Sequence, residues 1–470
     1  MPRSRITRFS QNSNRGCPRE LVYTPATMTT ALPATASILK ERRAWYWYDW
    51  ANSAFTTTVV TLFFGPFITS VAKAAADAQG NVQILGLNVE YGAYWGWLVS
   101  LSVITQVLVL PVLGQIADSS PRKKWLLAGL CYTGAVATVG MYFIHPGDFV
   151  FGGQMFLIAN LAFGGSNVVY NSFLSDLAPE DERDSVSSKG FALGYLGGGL
   201  LLALNLALYT FADRLGISGG VAVRLSLASA GVWWGGFALI TFFGLKNRPP
   251  LKPRVAGKSI LLQGFVELAH TIRSMFGYKQ TLLFVVAYLF FNDAVQTVIT
   301  LAGQFGSEEL HIEQGTLTAV ILMVQLLAFP GAMLFSWVAR RITTKWAIVT
   351  TLVLWILVVL AMYGVVYDTR GFVIAGAVVA LVLGGTQALT RSLYSQLIPT
   401  GHEAAYFSLY EIGDKGTSWI GPAVFAIVRT ETHSYRAGIL TLPVLFIIGM
   451  ALLVFVNVPK ATQEARGRAS

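Results

Sequence analysis

The chain has 470 residues, 54% of them hydrophobic and 12% charged, with a mean hydropathy of +0.56. A soluble domain carries about a quarter charged residues, so these values exclude an ordinary soluble protein and define a polytopic membrane protein. The net charge of +10 does not mark a nucleic-acid binder, because the basic residues are scattered between apolar runs and form no stripe with interleaved aromatics.

Residues 1–44 form a basic, irregular tail, expected to be disordered and cytoplasmic. The tail contains no apolar core followed by a small-residue cleavage site, so no secretory signal is read there, and Met28 is an alternative start to Met1. Apolar runs of membrane-crossing length then place twelve spans near 46–72, 92–113, 125–144, 149–173, 189–211, 225–245, 281–303, 315–338, 346–367, 371–394, 406–428 and 438–458. Alternate connections hold 26 Lys and Arg on one side and 6 on the other. The positive-inside rule therefore puts both termini and the central connection in the cytoplasm. The expected organisation is a first six-helix half (45–245), a linker (246–280), a second half (281–458) and a short tail (459–470). The linker opens as an extended basic segment, Lys246 to Arg254. From Ile260 to Phe276 it alternates Leu261, Phe265, Leu268, Ile272 and Met275 with Gln263, Glu267, His270 and Arg273, the pattern of an amphipathic helix on the inner leaflet.

The halves repeat each other. Phe163-Gly164-Gly165-Ser166-Asn167, continued by Asn171-Ser172 and ending at Pro179, matches Leu383-Gly384-Gly385-Thr386-Gln387, Arg391-Ser392 and Pro399 at a constant offset of 220. Lys124-Trp125 after span two likewise matches Lys345-Trp346 after span eight. A tandem duplication of six-span units is an architecture that holds its substrate near the midplane, between the repeats.

Polar residues inside the spans mark candidate sites. Span seven carries Asn292, Asp293, Gln296, Thr297 and Thr300 on one face. An ionised carboxylate at the bilayer centre costs about 2.5–3.5 kcal/mol, so Asp293 must face a water-filled cavity or a partner. It either lines a substrate or ion path or bonds a neighbouring helix to hold the bundle. Asp49, Asn52, Ser53 and Thr56 form a matching face on span one, behind the interfacial aromatics Trp45 to Trp50. Asp49 either opposes Asp293 across the path or caps the inner edge. Asn167 and Gln387, equivalent in the repeat, complete the expected path. Glycines in span five (Gly190, Gly194, Gly197 to Gly199) and span eleven (Gly413, Gly416, Gly421) serve either close crossing or a hinge. Arg391, Glu411, Asp414 and Lys415 cluster by topology at the inner ends of spans ten and eleven, where ion pairs could close the mouth. Cys17 and Cys131 make no disulfide framework, His145, His270, His311, His402 and His433 show no metal-ligand spacing, and no phosphate-binding G-x-x-x-x-G-K-[ST] loop occurs. No metal, cofactor or ATP hydrolysis is expected.

Between spans two and three, Gly114, Asp118, Arg122 and Lys123 stand where the G-x-x-x-D-x-x-x-R-K signature of major facilitator transporters has them, and the loop resembles it. The matching stretch Phe335 to Lys345 keeps Arg340, Arg341 and Lys345 but has no Gly or Asp, so a weaker gating contact is expected there. Within that superfamily the chain resembles the vacuole effluxer-like (autophagy-related protein 22-like) family over residues 41–460. The resemblance rests on Tyr48-Asp49-Trp50-Ala51-Asn52-Ser53, Gly194-Tyr195-Leu196-Gly197-Gly198, Asn292-Asp293-Ala294-Val295-Gln296-Thr297 and Gly385 to Ser392 with Pro399. Asp293-Ala294 stands where Asp-Gly is the family pattern, which bears on how closely a neighbouring helix packs. The resemblance implies an all-α, twelve-helix major facilitator fold and a secondary carrier working by alternating access. Its solute is small and polar, with amino acids in the efflux direction as one possibility and protons as a possible partner. A monomer in the bacterial inner membrane is expected. The alternative is a non-transporting receptor or membrane enzyme on the same scaffold; an enzyme needs a convergent nucleophile–base or metal set, and none is visible.

Overall fold

A computed structural model of the chain describes residues 36–84, 86–250, 273–416, 420–432 and 434–467. The amphipathic linker helix expected over 260–276 lies almost wholly outside the described residues. The first helix, α1 (Ala36–Ala74), is α-helical to Ala54, π-wound over Phe55–Phe63 and α-helical again from Phe64. Its start lies inside the expected disordered tail, because the polar run Lys40 to Arg43 is tied down. Glu41 takes Arg248 at 3.2 Å, and Arg42 donates to the Leu177 carbonyl at 2.7 Å while pairing with Glu182. A hairpin of β1 (Asn81–Ile84) and β2 (Leu87–Glu90), in antiparallel register with Val82 opposite Val89, follows at the far end of α1.

The longer helices that follow are α2 (Tyr94–Ser119), α3 (Lys123–Gly140), α4 (Phe149–Ser172), α5 (Glu180–Thr210), α6 (Gly219–Gly244), α7 (Lys279–Gln304), α8 (Gln314–Ile342), α9 (Thr344–Gly364), α10 (Thr369–Leu397), α11 (Glu403–Gly416), α12 (Ile420–Thr432), α13 (Thr441–Phe455, which with the short helix Tyr435–Ile439 before it makes one span) and α14 (Val458–Gly467). Local chemistry sets several of these starts. Glu180, Asp181 and Glu182 complement the positive end of α5, Ser218 accepts from Val221 N–H to begin α6, and the Asp368 carboxylate accepts from Gly371 N–H at 2.8 Å to begin α10. Eleven helices among the described residues are long and apolar enough to cross a membrane. The eleventh span read from sequence falls on α11 and α12. Between them lie residues 417–419, which are outside the described residues.

Each half has its own core. One is built around Trp45, Phe55, Phe156 and Trp234, the other around Phe284, Trp355, Tyr394 and Phe446. The halves meet along α2–α11 and α5–α8, which are equivalent pairs under the repeat, and along α4–α11 and α5–α10. The seam includes Ala192, Ala332 and Ala388, small side chains that let helices approach without locking together. The duplication is visible in detail: Lys124 lies over the Trp125 ring at 5.2 Å, and Lys345 over Trp346 at 5.3 Å. Gly164 and Gly384 likewise mark equivalent crossings, of α4 on α2 against Gln106 and of α10 on α8 against the Ala328 carbonyl.

Candidate functional site: a cavity between the halves

Between the halves lies a cavity of about 1490 Å³, wide at the hairpin end and closed toward the end that carries Asp118. Its walls hold Asp49, Asn52, Ser53 and Thr56 from α1, Asn167 and Asn171 from α4, Tyr195 from α5, Asn292 and Gln296 from α7, Gln387 and Arg391 from α10, and Glu411 and Asp414 from α11. The α1 face, Asn167, Gln387, Asn292 and Gln296 therefore stand together, as their spacing suggested. Asn52 donates to Asn167 at 2.7 Å, and Gln296 and Tyr288 donate to the Asp414 carboxylate at 3.1 and 3.3 Å. Across the halves, the Tyr195 hydroxyl donates to Gln387 at 2.5 Å.

Asp293 is not on this wall. It is 2% exposed, turned away from the cavity, and its Oδ2 accepts from the Gly421 N–H on α12 at 2.6 Å. Thr297, also off the wall, donates to the Asp293 carbonyl at 2.6 Å. One residue along a helix turns the side chain by about 100°, so Asn292 and Gln296 reach the cavity while Asp293 and Thr297 face the helix behind it. Asp293 therefore does not face α1 in this structure; its carboxylate bonds a neighbouring helix of the same half through the Gly421 N–H, the second of the two readings above.

The partner of Asp49 is Arg391. Nη2 of Arg391 lies 3.1 Å from Asp49 Oδ2, and Nη1 lies 3.2 Å from the same oxygen. Arg391, 2% exposed, also donates to Ser187 Oγ at 2.9 Å, the Ser187 carbonyl at 2.8 Å and Asn171 at 3.3 Å. Its guanidinium lies 4.0 Å from the Phe191 ring and 4.9 Å from Trp45, a shelf suited to a planar cation. Asn171 donates in turn to Glu411 at 3.0 Å. The cluster foreseen on α10 and α11 is thus rearranged: Arg391 pairs across the halves with α1, Asn171 links it to Glu411, and Asp414 sits higher, with Tyr288 and Gln296. The side chain of Lys415 lies outside the described residues. Gly190 on α5 packs directly on the Asp49–Arg391 pair, and Gly194 and Gly197 pack on Ser53 and Trp50, so these glycines allow close crossing. Asn171 and Arg391 occupy equivalent places in the repeat, 220 residues apart, and meet between the halves. That signal was available in the sequence, and Tyr195 stands in the Gly194–Gly198 stretch that carries the family resemblance, whereas Ser187 gave none.

Beyond the floor, Asp118 accepts from the Ala404 and Ala405 N–H groups at 2.8 and 2.9 Å, which ties α2 to the first turn of α11. Gly114 makes this possible: a methyl group there would stand 2.6 Å from the Ala404 carbonyl oxygen. Lys123 donates to the Ser172 carbonyl at 3.2 Å and lies 3.6 Å from Asp176. The Arg122 backbone N–H is held by Ser120 Oγ at 3.1 Å while its residue stays exposed in the turn.

Two pseudo-equivalent six-helix halves around a central cavity, sealed at one end by bonds between the halves, define a transporter of the major facilitator superfamily. Solved structures support the fold. The XylE double-Trp variant aligns at TM-score 0.69 with 12% identity, over 90% of this chain and 96% of that one. FucP in the outward conformation aligns at 0.65 with 12% identity, over 90% and 99%. A bacterial homologue of the iron transporter ferroportin in an outward-facing state aligns at 0.64 with 12% identity, over 89% and 98%. The chain belongs to the vacuole effluxer Atg22-like family, whose profile matches residues 39–466. Among its relatives are the uncharacterized MFS-type transporter YxiO of Bacillus subtilis, 30% identical over 91% of this chain and 97% of that protein, and the autophagy-related protein 22-2 of Neosartorya fischeri, 26% identical over 84% and 80%. The protein is an integral, multi-pass membrane transporter.

Proposed function

We propose that this transporter is a monomeric secondary carrier of the bacterial inner membrane that moves a small polar solute by alternating access, with amino acids in the efflux direction as the first candidates. Both termini and the Asp118 end lie in the cytoplasm on the Lys and Arg count, so the cavity opens outward. The observation that carries this reading is the Asp49–Arg391 pair at the cavity floor. It joins the two halves, it is buried, and it must part before the cavity reaches the other side. Above it, Asn52, Asn167, Asn292, Gln296 and Gln387 present both donors and acceptors at mid-depth, which suits a polar solute stripped of water.

Reconstitution into liposomes with a panel of labelled amino acids and other metabolites, with and without a pH gradient, tests the reading. Saturable flux of a polar solute supports it, and gradient-driven accumulation adds proton coupling. Binding without flux in either direction would refute it in favour of a receptor.

A further inference from the structure

The repeat leaves one gate position empty. In the alignment that matches Lys124 to Lys345, the residue equivalent to Asp118 is Ala339. Asp118 works by accepting from the first turn of α11, and the repeat partner of α11 is α5. Symmetry therefore calls for an acid after α8 that grips the first turn of α5, and the second half supplies an alanine.

The first turns of α5 reach the opposite way. Asp184 Oδ1 accepts from the Ser392 hydroxyl at 2.5 Å, and Oδ2 from the Thr344 hydroxyl at 2.6 Å. Ser392 is fully buried on α10, and Thr344 opens α9 directly after Thr343, whose φ of 88° makes the sharp turn out of α8. Beside it, Arg183 donates to the Ser395 carbonyl at 2.7 Å, in the last turn of α10, and to the Ala178 carbonyl at 3.1 Å. Both partners of the Asp184 carboxylate and the longer reach of Arg183 therefore lie in the other half.

We propose that Asp184 is the missing second gate acid, moved from the loop after α8 to the start of α5, and that with Asp118 it holds the Asp118 end shut. The assignment rests on the alternating-access reading above. Both gate acids then belong to the first half, and the second half offers neutral donors: two N–H groups to Asp118 and two hydroxyls to Asp184. Hydrogen bonds to a carboxylate are stronger than neutral ones, yet each acid regains water when the halves part, so the latch is firm and reversible. An acid near the start of α5 also favours that helix through its dipole. That role needs no particular neighbours, whereas the latch requires Ser392 and Thr344.

The test uses full-length protein in nanodiscs, with Cys17 and Cys131 replaced by serine and spin labels at Pro121 and Ile342, exposed positions on opposite halves at the closed end. Distance distributions report the ratio of open to closed conformers without a known solute. Asp184→Asn should raise that ratio on the order of tenfold. Ser392→Ala with Thr344→Ala should do the same and add little to Asp184→Asn, because all three changes break one contact. An unchanged distribution in Asp184→Asn, or full additivity, overturns the latch. If Asp184→Asn does not fold, the Ser392/Thr344 double variant decides alone, and no shift there overturns it. Asp118→Asn is the reference. If it opens the closed end while the Asp184 variants do not, only the latch fails; if it too is inert, alternating access fails and the latch with it.

Discussion

Asp49→Asn offers the most direct test of the cavity floor. The substitution keeps the shape of the side chain and removes its charge, leaving Arg391 buried against Ser187 and Asn171. Breaking one side of a buried ion pair costs about 3–5 kcal/mol. The lower end applies, because three neutral acceptor contacts remain and the Asn oxygen can still accept one bond. In the conformer open at the other end both groups would be hydrated, so the loss falls on the closed conformer alone. A change of about 3 kcal/mol is roughly 150-fold in the conformer ratio. Ser188→Cys, a near-isosteric thiol at a fully buried position beside Ser187, should then react with a membrane-impermeant reagent supplied from the Asp118 side on the order of a hundredfold faster in Asp49→Asn than in the parent. Removing both charges, in Asp49→Asn with Arg391→Gln, should restore part of the thermal stability lost in either single variant, since no unpaired buried charge is left. Unchanged labelling, or strictly additive losses of stability, would refute the assignment of this pair as the floor.

Other expectations follow from the same geometry. Gly190→Ala places a methyl group against both members of the pair and should mimic Asp49→Asn in the labelling assay. Asp118→Asn should lower transport turnover while equilibrium solute binding, measured by calorimetry, stays near the parent value, because only the balance of conformers moves. Gly114→Ala meets the α11 backbone and should cost about 1–3 kcal/mol in thermal denaturation. Cysteines at Ser259 and Ser307 should label from opposite faces of the membrane, and equal labelling from outside would overturn the topology. Asp293→Asn keeps an acceptor for the Gly421 N–H and should bind solute normally, whereas Gln296→Ala, on the cavity wall, should weaken binding; the reverse ranking would return Asp293 to the path.

Much of the fold was legible because membrane spans must be apolar over about 20 residues and because Lys and Arg are biased to one side. One boundary was missed, for a physical reason. The segment from Ala36 looked too polar to belong to the first helix, but Glu41 and Arg42 are only 3% and 8% exposed, held by partners as much as 207 residues away. The polar wall was legible in its residue types, and Asn171 and Arg391 stand at equivalent places of the repeat, although only Arg391 was read as a candidate. The Asp49–Arg391 pair was not legible, because a contact 342 residues apart leaves no trace in local spacing.

Asp293 shows where such a reading stops. Sequence polarity inside a span says that a group does not face lipid; it does not say which polar environment receives it. Span seven meets two: the cavity, which takes Asn292 and Gln296, and the neighbouring helix α12, which takes Asp293. The difference matters for mechanism. Asp293 and Gly421 belong to the same half, so their bond survives any rigid rocking of one half against the other and contributes equally to both conformers. Asp49 with Arg391, Asp118 with the start of α11, and Asp184 with Ser392 and Thr344 each join one half to the other. On the proposed alternating-access cycle, bonds of this second kind would be made in one conformer and lost in the other, and so would set the conformer ratio. On the alternating-access reading proposed above, the charge at the middle of span seven would hold the second half together, while the charges that would govern its movement lie at the floor of the cavity and below it.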